Sequence, residues 1–98
     1  MKRIERRLKE LSKDNHKAFV AYIVAGDPDL ETSLDLMHLT VKSGIDILEI
    51  GVPFSDPMAD GPIIQKSYRR ALKNGVNLDE VLSLVKIFRK KNNYTPIV

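Results

Sequence analysis

Three acidic residues, Glu49, Asp56 and Asp60, lie close together in this 98-residue sequence and are its clearest candidates for catalysis. Glu49 stands within the apolar string ILEIGV, which predicts a β-strand. Alternation along that strand puts Glu49 on the same face as Ile47 and Gly51. Because both faces are apolar, we expect the Glu49 carboxylate to be buried. Burial disfavours the charged form and allows a glutamate to exchange protons near neutral pH.

A structural ion pair with a Lys or Arg further along the chain is the alternative role for Glu49. We favour catalysis, because α/β folds place catalytic groups near the carboxyl ends of parallel strands. Gly51 lies two positions further along the same face. Its missing side chain is expected to leave room for a ligand.

The string PFSDPMADGP follows the strand and contains Asp56 and Asp60 among three prolines and a glycine. Prolines stiffen a loop and reduce the entropy cost of holding a side chain in place. If Pro62 is the first residue of a helix, Gly61 is its N-cap, and Asp60 is free for another role. Asp56 precedes Pro57, which is more typical of a turn.

A divalent metal ion bound by Glu49, Asp56 and Asp60 is conceivable as an oxygen-ligand site. Nothing in the spacing is specific for it, and no metal is predicted. His16 and His38 are expected to face solvent. The five glycines form neither a GxGxxG motif nor a P-loop, so no nucleotide-phosphate site is indicated.

Helices and strands alternate around these candidates. We predict an amphipathic helix at the start, a strand over 19–25, a helix from Leu30 that ends near Gly44, a strand over 47–52, helices over 63–72 and from the N-cap Asn77 onward, and an apolar run over 96–98. The last helix should present Leu78, Val81, Leu82, Val85 and Phe88 as its apolar face. Tyr22 lies in the first strand, and its facing is left open.

This alternation predicts a parallel α/β sheet with helices between the strands. Two complete strands are too few to bury a parallel sheet, which is covered on both faces. We therefore expect residues 1–98 to be a single incomplete domain, the first part of a longer protein.

Composition excludes several classes of protein. The sequence is 43% hydrophobic and 30% charged, as in ordinary globular domains. It contains no cysteine, which excludes disulfides, thiol nucleophiles and Cys-ligated zinc. The apolar runs are too short to span a bilayer, and the N-terminus lacks a signal-peptide core. We expect a soluble cytoplasmic protein that binds no membrane.

Charge is distributed unevenly around the net value of +3. Residues 1–17 contain seven basic and three acidic residues, 18–65 one and eight, and 66–98 eight and two. The basic residues lie on predicted amphipathic helices without interleaved aromatic residues. Solvated helix faces are therefore expected, and not a nucleic-acid surface.

Three strings, AYIVAGDPDLETSLDLM, DILEIGVPFSDPMADGPIIQ and RRALKNGVNLDEVL, together resemble the N-terminal part of the tryptophan synthase alpha subunit family. The resemblance implies a (β/α)8 TIM barrel of roughly 250 residues. This chain would supply its leading helix, two βα units and the start of the third strand.

The resemblance also implies a lyase that cleaves indole-3-glycerol phosphate into indole and glyceraldehyde 3-phosphate by a retro-aldol step without a cofactor. Glu49 matches the family's general acid/base. Asp60 matches the carboxylate that binds the indole N–H, and Tyr22 matches a position that lines the indole pocket. The isolated piece is expected to be inactive, because the family's phosphate-binding loops and mobile lid lie in later parts of the barrel.

A partner is implied as well. In the family, the loop after the second strand touches a beta subunit that contains PLP, and indole passes between the subunits of an alpha2beta2 heterotetramer. Pro53, Asp56 and Pro57 are the matching interface candidates. Val24 stands where threonine is common in the family, so the hydroxyl that would support the first loop by a hydrogen bond is absent.

Two alternatives to this lyase stay open. Another phosphate-binding barrel aldolase or epimerase would lose activity on chelation if it used a metal. A non-catalytic fragment would bind a partner subunit without turnover.

Overall fold

The structure is a computed structural model that describes residues 2–54 and 60–98. Its elements are α1 (Arg3–Lys13), β1 (Val20–Val24), α2 (Leu30–Lys42), β2 (Ile47–Gly51), α3 (Pro62–Lys73) and α4 (Leu78–Arg89). The predicted order of helices and strands is confirmed. Both strands are shorter at their ends than the apolar runs predicted. No helix among the described residues is long and apolar enough to cross a membrane.

β1 and β2 are parallel neighbours. The chain returns to the other side of β2 at its end, where Ile97 forms a parallel bridge with Leu48. The amide of Ile50 donates to the carbonyl of Val98, and the amide of Val98 donates to the carbonyl of Leu48, both at 2.9 Å. The apolar run at 96–98 therefore pairs as the start of a third parallel strand, as predicted.

The two faces of the sheet differ in what covers them. Leu48 is fully buried on one face, in a core that includes Met37 of α2 and Phe88 of α4, both also fully buried. The opposite face carries Val20, which is 46% exposed, and Tyr22, which is 39% exposed. The core around Met37 and Phe88 thus lies against the Leu48 face, whereas the opposite face is buried at Val24 and Ile47 and exposed at Val20 and Tyr22.

The apolar face predicted for α4 is partly wrong. Val81, Leu84 and Phe88 are its buried residues, whereas Leu78 and Leu82 are more than half exposed. Positions separated by three and four residues share one side of a helix, whereas Leu82 is turned about 100° from Val81. Leu78 is the first residue of the helix.

Helix ends follow the predicted signals. The Asn77 side chain caps α4 by accepting a hydrogen bond from the Glu80 amide at 3.0 Å. Gly44 has a φ of +106°, the left-handed conformation expected after α2.

The prediction that His38 on α2 faces solvent is wrong. His38 is half-buried, and its ring packs on Phe88 with 4.7 Å between the ring centres.

Candidate active site

Tyr22 and Glu49 are direct neighbours across the two strands. Their Cα atoms are partners in the parallel register, and paired residues project from the same face of a sheet. The register therefore decides the facing of Tyr22 that the sequence left open. The candidate proton-transfer group and the candidate pocket aromatic therefore share the face opposite Leu48, called the open face because both side chains are exposed on it.

Glu49 is exposed, so its predicted burial is wrong. Its flanking residues Ile47 and Leu48 are buried, as the apolar string indicated. That string predicts a strand covered on both faces, but residues 2–54 and 60–98 leave the open face uncovered at Glu49 and Tyr22. The carboxylate stands on the open face together with Tyr22.

The expectation that Gly51 leaves room for a ligand is wrong, because the Tyr22 ring occupies that space. A Cβ atom built on Gly51 would overlap the Tyr22 hydroxyl and lie 2.6 Å from Cζ of the same ring. The Tyr22 ring therefore crosses directly over Gly51, towards the carboxyl end of β2. Glycine is needed at this position because the ring approaches the backbone too closely for any side chain.

Tyr68 of α3 receives the end of the Tyr22 side chain. The two hydroxyl oxygens are 2.6 Å apart, a strong hydrogen-bond distance. Tyr68 is only 7% exposed. Sequence reasoning missed this residue as part of the site. Its spacing from Ile64 and Ala71 indicates an apolar helix stripe, and so predicts a core side chain only.

The electrostatics of Tyr22 connect both candidate carboxylates. Burial raises the pKa of Tyr22 well above its ordinary value, and the hydrogen bond with Tyr68 raises it further. The negative charges of Asp60 and Glu49 add to this effect. Tyr22 is therefore a neutral phenol at physiological pH, and both carboxylates lie near enough to act on it.

Asp60 stands at the entrance to α3. Gly61 is the N-cap, Pro62 begins the helix, and no side chain caps it, as predicted. The carbonyl of Asp60 accepts a hydrogen bond from Nε2 of Gln65 at 2.7 Å, which fixes the backbone here. The half-buried Asp60 carboxylate is not the helix cap.

A second polar network ties α3 to the loop after β1. Asp27 accepts two hydrogen bonds from Arg70, from Nε at 2.7 Å and from Nη2 at 2.9 Å, and one from the Ser67 hydroxyl. Asn74 donates from its amide to the carbonyl of Pro28. Arg70 lowers the pKa of Asp27, against an opposing effect of burial, and Ser67 contributes to the lowering. No motif or spacing in the sequence predicts this network.

The predicted partner-interface residues are only partly described. Pro53 is buried, and the next residue, Phe54, is 59% exposed. Asp56 and Pro57 lie outside the described residues. Val24 is buried.

No group of three or more His, Asp or Glu side chains that could hold a metal ion occurs within residues 2–54 and 60–98. The conceived site on Glu49, Asp56 and Asp60 includes one residue outside those ranges. What the described residues offer is two carboxylates beside an aromatic ring. Such groups can transfer a proton and stabilise positive charge on a flat substrate.

The sequence of this chain is similar to those of one protein family. The family model "Tryptophan synthase alpha chain" matches residues 8–98. A tryptophan synthase alpha chain of Marinobacter nauticus is 54% identical over all 98 residues, which cover 36% of that protein. One from Neisseria meningitidis is 58% identical over 85 residues, 87% of this chain and 33% of its own length. The chain thus spans about a third of the length of these curated relatives.

Solved structures agree with the sequence comparison. The tryptophan synthase subunit alpha of Legionella pneumophila superposes with a TM-score of 0.97 at 48% identity, over 99% of this chain and 37% of that one. A tryptophan synthase complex from Pyrococcus furiosus matches with a TM-score of 0.74 at 45% identity, over 82% and 32%. The fold is that of the N-terminal portion of an α/β barrel.

Proposed function

This chain belongs to the tryptophan synthase alpha chain family, and we propose that its complete form is a lyase of tryptophan biosynthesis. The proposed reaction is the retro-aldol cleavage of indole-3-glycerol phosphate to indole and glyceraldehyde 3-phosphate. Residues 1–98 would then be a single incomplete domain, and the rest of the barrel would bind the substrate phosphate. The isolated piece is accordingly expected to be inactive.

In the proposed mechanism, Glu49 protonates C3 of the indole ring and assists removal of the proton from the glycerol hydroxyl next to the ring. The bond between C3 and the glycerol carbon breaks, and its electron pair returns to the indole. Asp60 accepts a hydrogen bond from the indole N–H and stabilises the positive charge that builds there. The Tyr22 ring forms one wall of the indole pocket. No cofactor is needed in this subunit.

The pairing of Tyr22 with Glu49 supports this proposal most directly. It puts an aromatic surface and a carboxylate side by side on the open face, and the charge of Asp60 acts on the same phenol. An indole lying on the Tyr22 ring would therefore have one carboxylate beside it and a second nearby. The proposed reaction requires one carboxylate to transfer protons and another to stabilise the positive charge on the indole.

We further propose a cytoplasmic enzyme whose partner is a tryptophan synthase beta subunit that contains PLP, in an alpha2beta2 assembly that passes indole between subunits. Support comes from the similar solved structure that is a complex. The proposed contact is the loop with Pro53, Asp56 and Pro57. Exposed Phe54, within the same loop, offers apolar surface for such a contact.

The test is indole release by the full-length protein and its Glu49→Gln variant. Loss of a general acid/base is expected to lower kcat at least about 100-fold. Because Gln has the same size and shape as Glu, the melting temperature should change little. Glu31→Gln on α2, also an exposed site, is the matched control and should keep full activity. Near-normal turnover by Glu49→Gln would contradict the proposed role.

A further inference from the structure

Tyr68 is the side chain that binds the Tyr22 hydroxyl within the part of the chain that the structure describes. Tyr22 is 39% exposed, and its ring lies on the open face of the sheet. Gly51, beneath the ring, has no side chain to pack against it. The single side-chain hydrogen bond that the described residues give Tyr22 is the 2.6 Å contact with the Tyr68 hydroxyl. Tyr68 is buried within α3 and is thus a firm anchor for the Tyr22 ring.

The same contact fixes α3 against β1. The partners lie 46 residues apart in the chain. Asp60 immediately precedes the cap of α3, and its backbone is bonded to Gln65 in the helix. A shift of α3 relative to the sheet would therefore move Asp60 relative to Glu49. Asp60 is thus connected to Glu49 through α3, the Tyr22–Tyr68 hydrogen bond and the pairing of β1 with β2.

We propose that Tyr68 is a positioning residue of the active site, which holds the Tyr22 ring across Gly51 so that the ring forms a fixed wall beside Glu49. The inference rests on the proposed lyase function and adds a residue that touches no substrate. Tyr68 acts through Tyr22. Its removal should therefore weaken the placement of an aromatic substrate more than the chemical step.

The experiment compares full-length wild type with Tyr68→Phe, Tyr22→Phe and the double variant, with Tyr94→Phe as control. Tyr94 is 58% exposed and lies just before the start of the third strand, so it undergoes the same chemical change away from the site. Tyr68→Phe should raise KM for indole-3-glycerol phosphate about tenfold, the effect of one hydrogen bond, and change kcat less than about threefold. Tyr94→Phe should match wild type.

The double variant tests whether Tyr68 acts through Tyr22. Once the Tyr22 hydroxyl is absent, the Tyr68 hydroxyl has nothing to hold. The KM of the double variant should therefore be no higher than that of the worse single variant. A KM increase in the double variant equal to the product of the two single increases would overturn the proposal. An unchanged KM in Tyr68→Phe would also overturn it.

A spectroscopic readout separates this inference from the proposed reaction. In protein labelled with ¹³C at tyrosine Cζ, the chemical shift of the Tyr22 resonance at pH 7 should differ between Tyr68→Phe and wild type, because the hydrogen bond between the two hydroxyls is lost. This difference needs no enzymatic activity. A wild-type protein that released no indole but showed the difference would overturn the lyase function and keep the anchoring contact. An active wild type without the difference would overturn the anchor alone.

Discussion

Arg70 binds both oxygens of the Asp27 carboxylate, with Nε and Nη2 at 2.7 and 2.9 Å. This bidentate pair joins α3 to the loop after β1, across 43 residues of sequence. The Tyr22–Tyr68 bond joins the same helix to β1 itself. α3 is therefore attached to the first βα unit at two points, and Asp60 at its entrance is fixed by both.

The Asp27 pair predicts a pH dependence of stability. The pKa of Asp27 is lowered from its ordinary 3.8 in the folded protein. The stabilisation is therefore fully present above about 3.8, the unfolded value, and is lost as the pH falls through the lower folded pKa. Asp27→Asn should lower the free energy of unfolding at pH 7 by about 1 kcal/mol, since Arg70 is partly exposed and screened.

Urea unfolding of the full-length protein between pH 7 and pH 3 checks this dependence. The difference between wild type and Asp27→Asn should be constant near neutral pH and shrink below pH 3.8. Asp35→Asn, at an exposed position of α2, is the control and should show no such difference. A gap between wild type and Asp27→Asn that stayed constant down to pH 3 would refute the ionic contribution.

Asp60→Asn should lower kcat for indole release by about 100-fold or more, the usual effect of removing a group that stabilises transition-state charge. The fold should be intact, because Gly61 and not Asp60 caps α3, and the Asp60 carbonyl that binds Gln65 is kept. Steady-state kinetics and a melting curve test both statements. A large loss of thermal stability with little loss of kcat would assign Asp60 a structural role instead.

Gly51→Ala should destabilise the protein by about 1–3 kcal/mol, as overpacking does, because the new Cβ overlaps the Tyr22 ring. It should also break the bond to Tyr68 and raise KM. Adding Tyr22→Ala should relieve the overlap, so that the double variant is less destabilised than the sum of the two changes.

Gly61→Ala is a control without steric overlap, since a Cβ there meets nothing within 4 Å, and should lose only the preference of an N-cap for glycine over alanine. Thermal unfolding is measured for wild type and four variants: Gly51→Ala, Tyr22→Ala, their combination and Gly61→Ala. A cost of Gly51→Ala that stayed the same in the Tyr22→Ala background would show that Tyr22 does not lie across Gly51.

The elements could be predicted from sequence because their signals are local. Asn77 caps α4, and Pro62 opens α3. Residues 96–98 pair beside β2. Each of these follows from a few adjacent residues, whose conformational preferences act within one turn or one strand.

The contacts of the site could not be predicted in the same way. Tyr68 and Arg70 meet partners more than 40 residues away, and no spacing rule covers such pairs. The burial of Glu49 was predicted wrongly because an apolar string does not show which face the helices cover. The role of Gly51 depends on the direction of the Tyr22 side chain, which one strand alone does not determine.

Gly26 and Gly44 offer a matched pair for separating backbone strain from steric overlap. Both have left-handed φ values, +90° and +106°, which cost other residues about 1–2 kcal/mol. A Cβ on Gly44 meets nothing within 4 Å, whereas one on Gly26 would lie 3.1 Å from Cβ of Val76 and overlap its methyl group. Gly26→Ala should therefore be the more destabilising change, by about 1–3 kcal/mol.

Urea unfolding of both alanine variants measures that difference, and Val76→Ala provides the decisive comparison. In the Gly26→Ala background, Val76→Ala removes the overlap and should therefore lower the free energy of unfolding by less than it does in wild type. In the Gly44→Ala background, Val76→Ala should lower the free energy of unfolding by the same amount as in wild type. Because the Gly26 amide also donates to the Ser33 hydroxyl at 2.9 Å, a displaced Gly26 would move the adjacent Asp27. Equal stabilities of the two single variants would mean that Val76 does not pack on this turn.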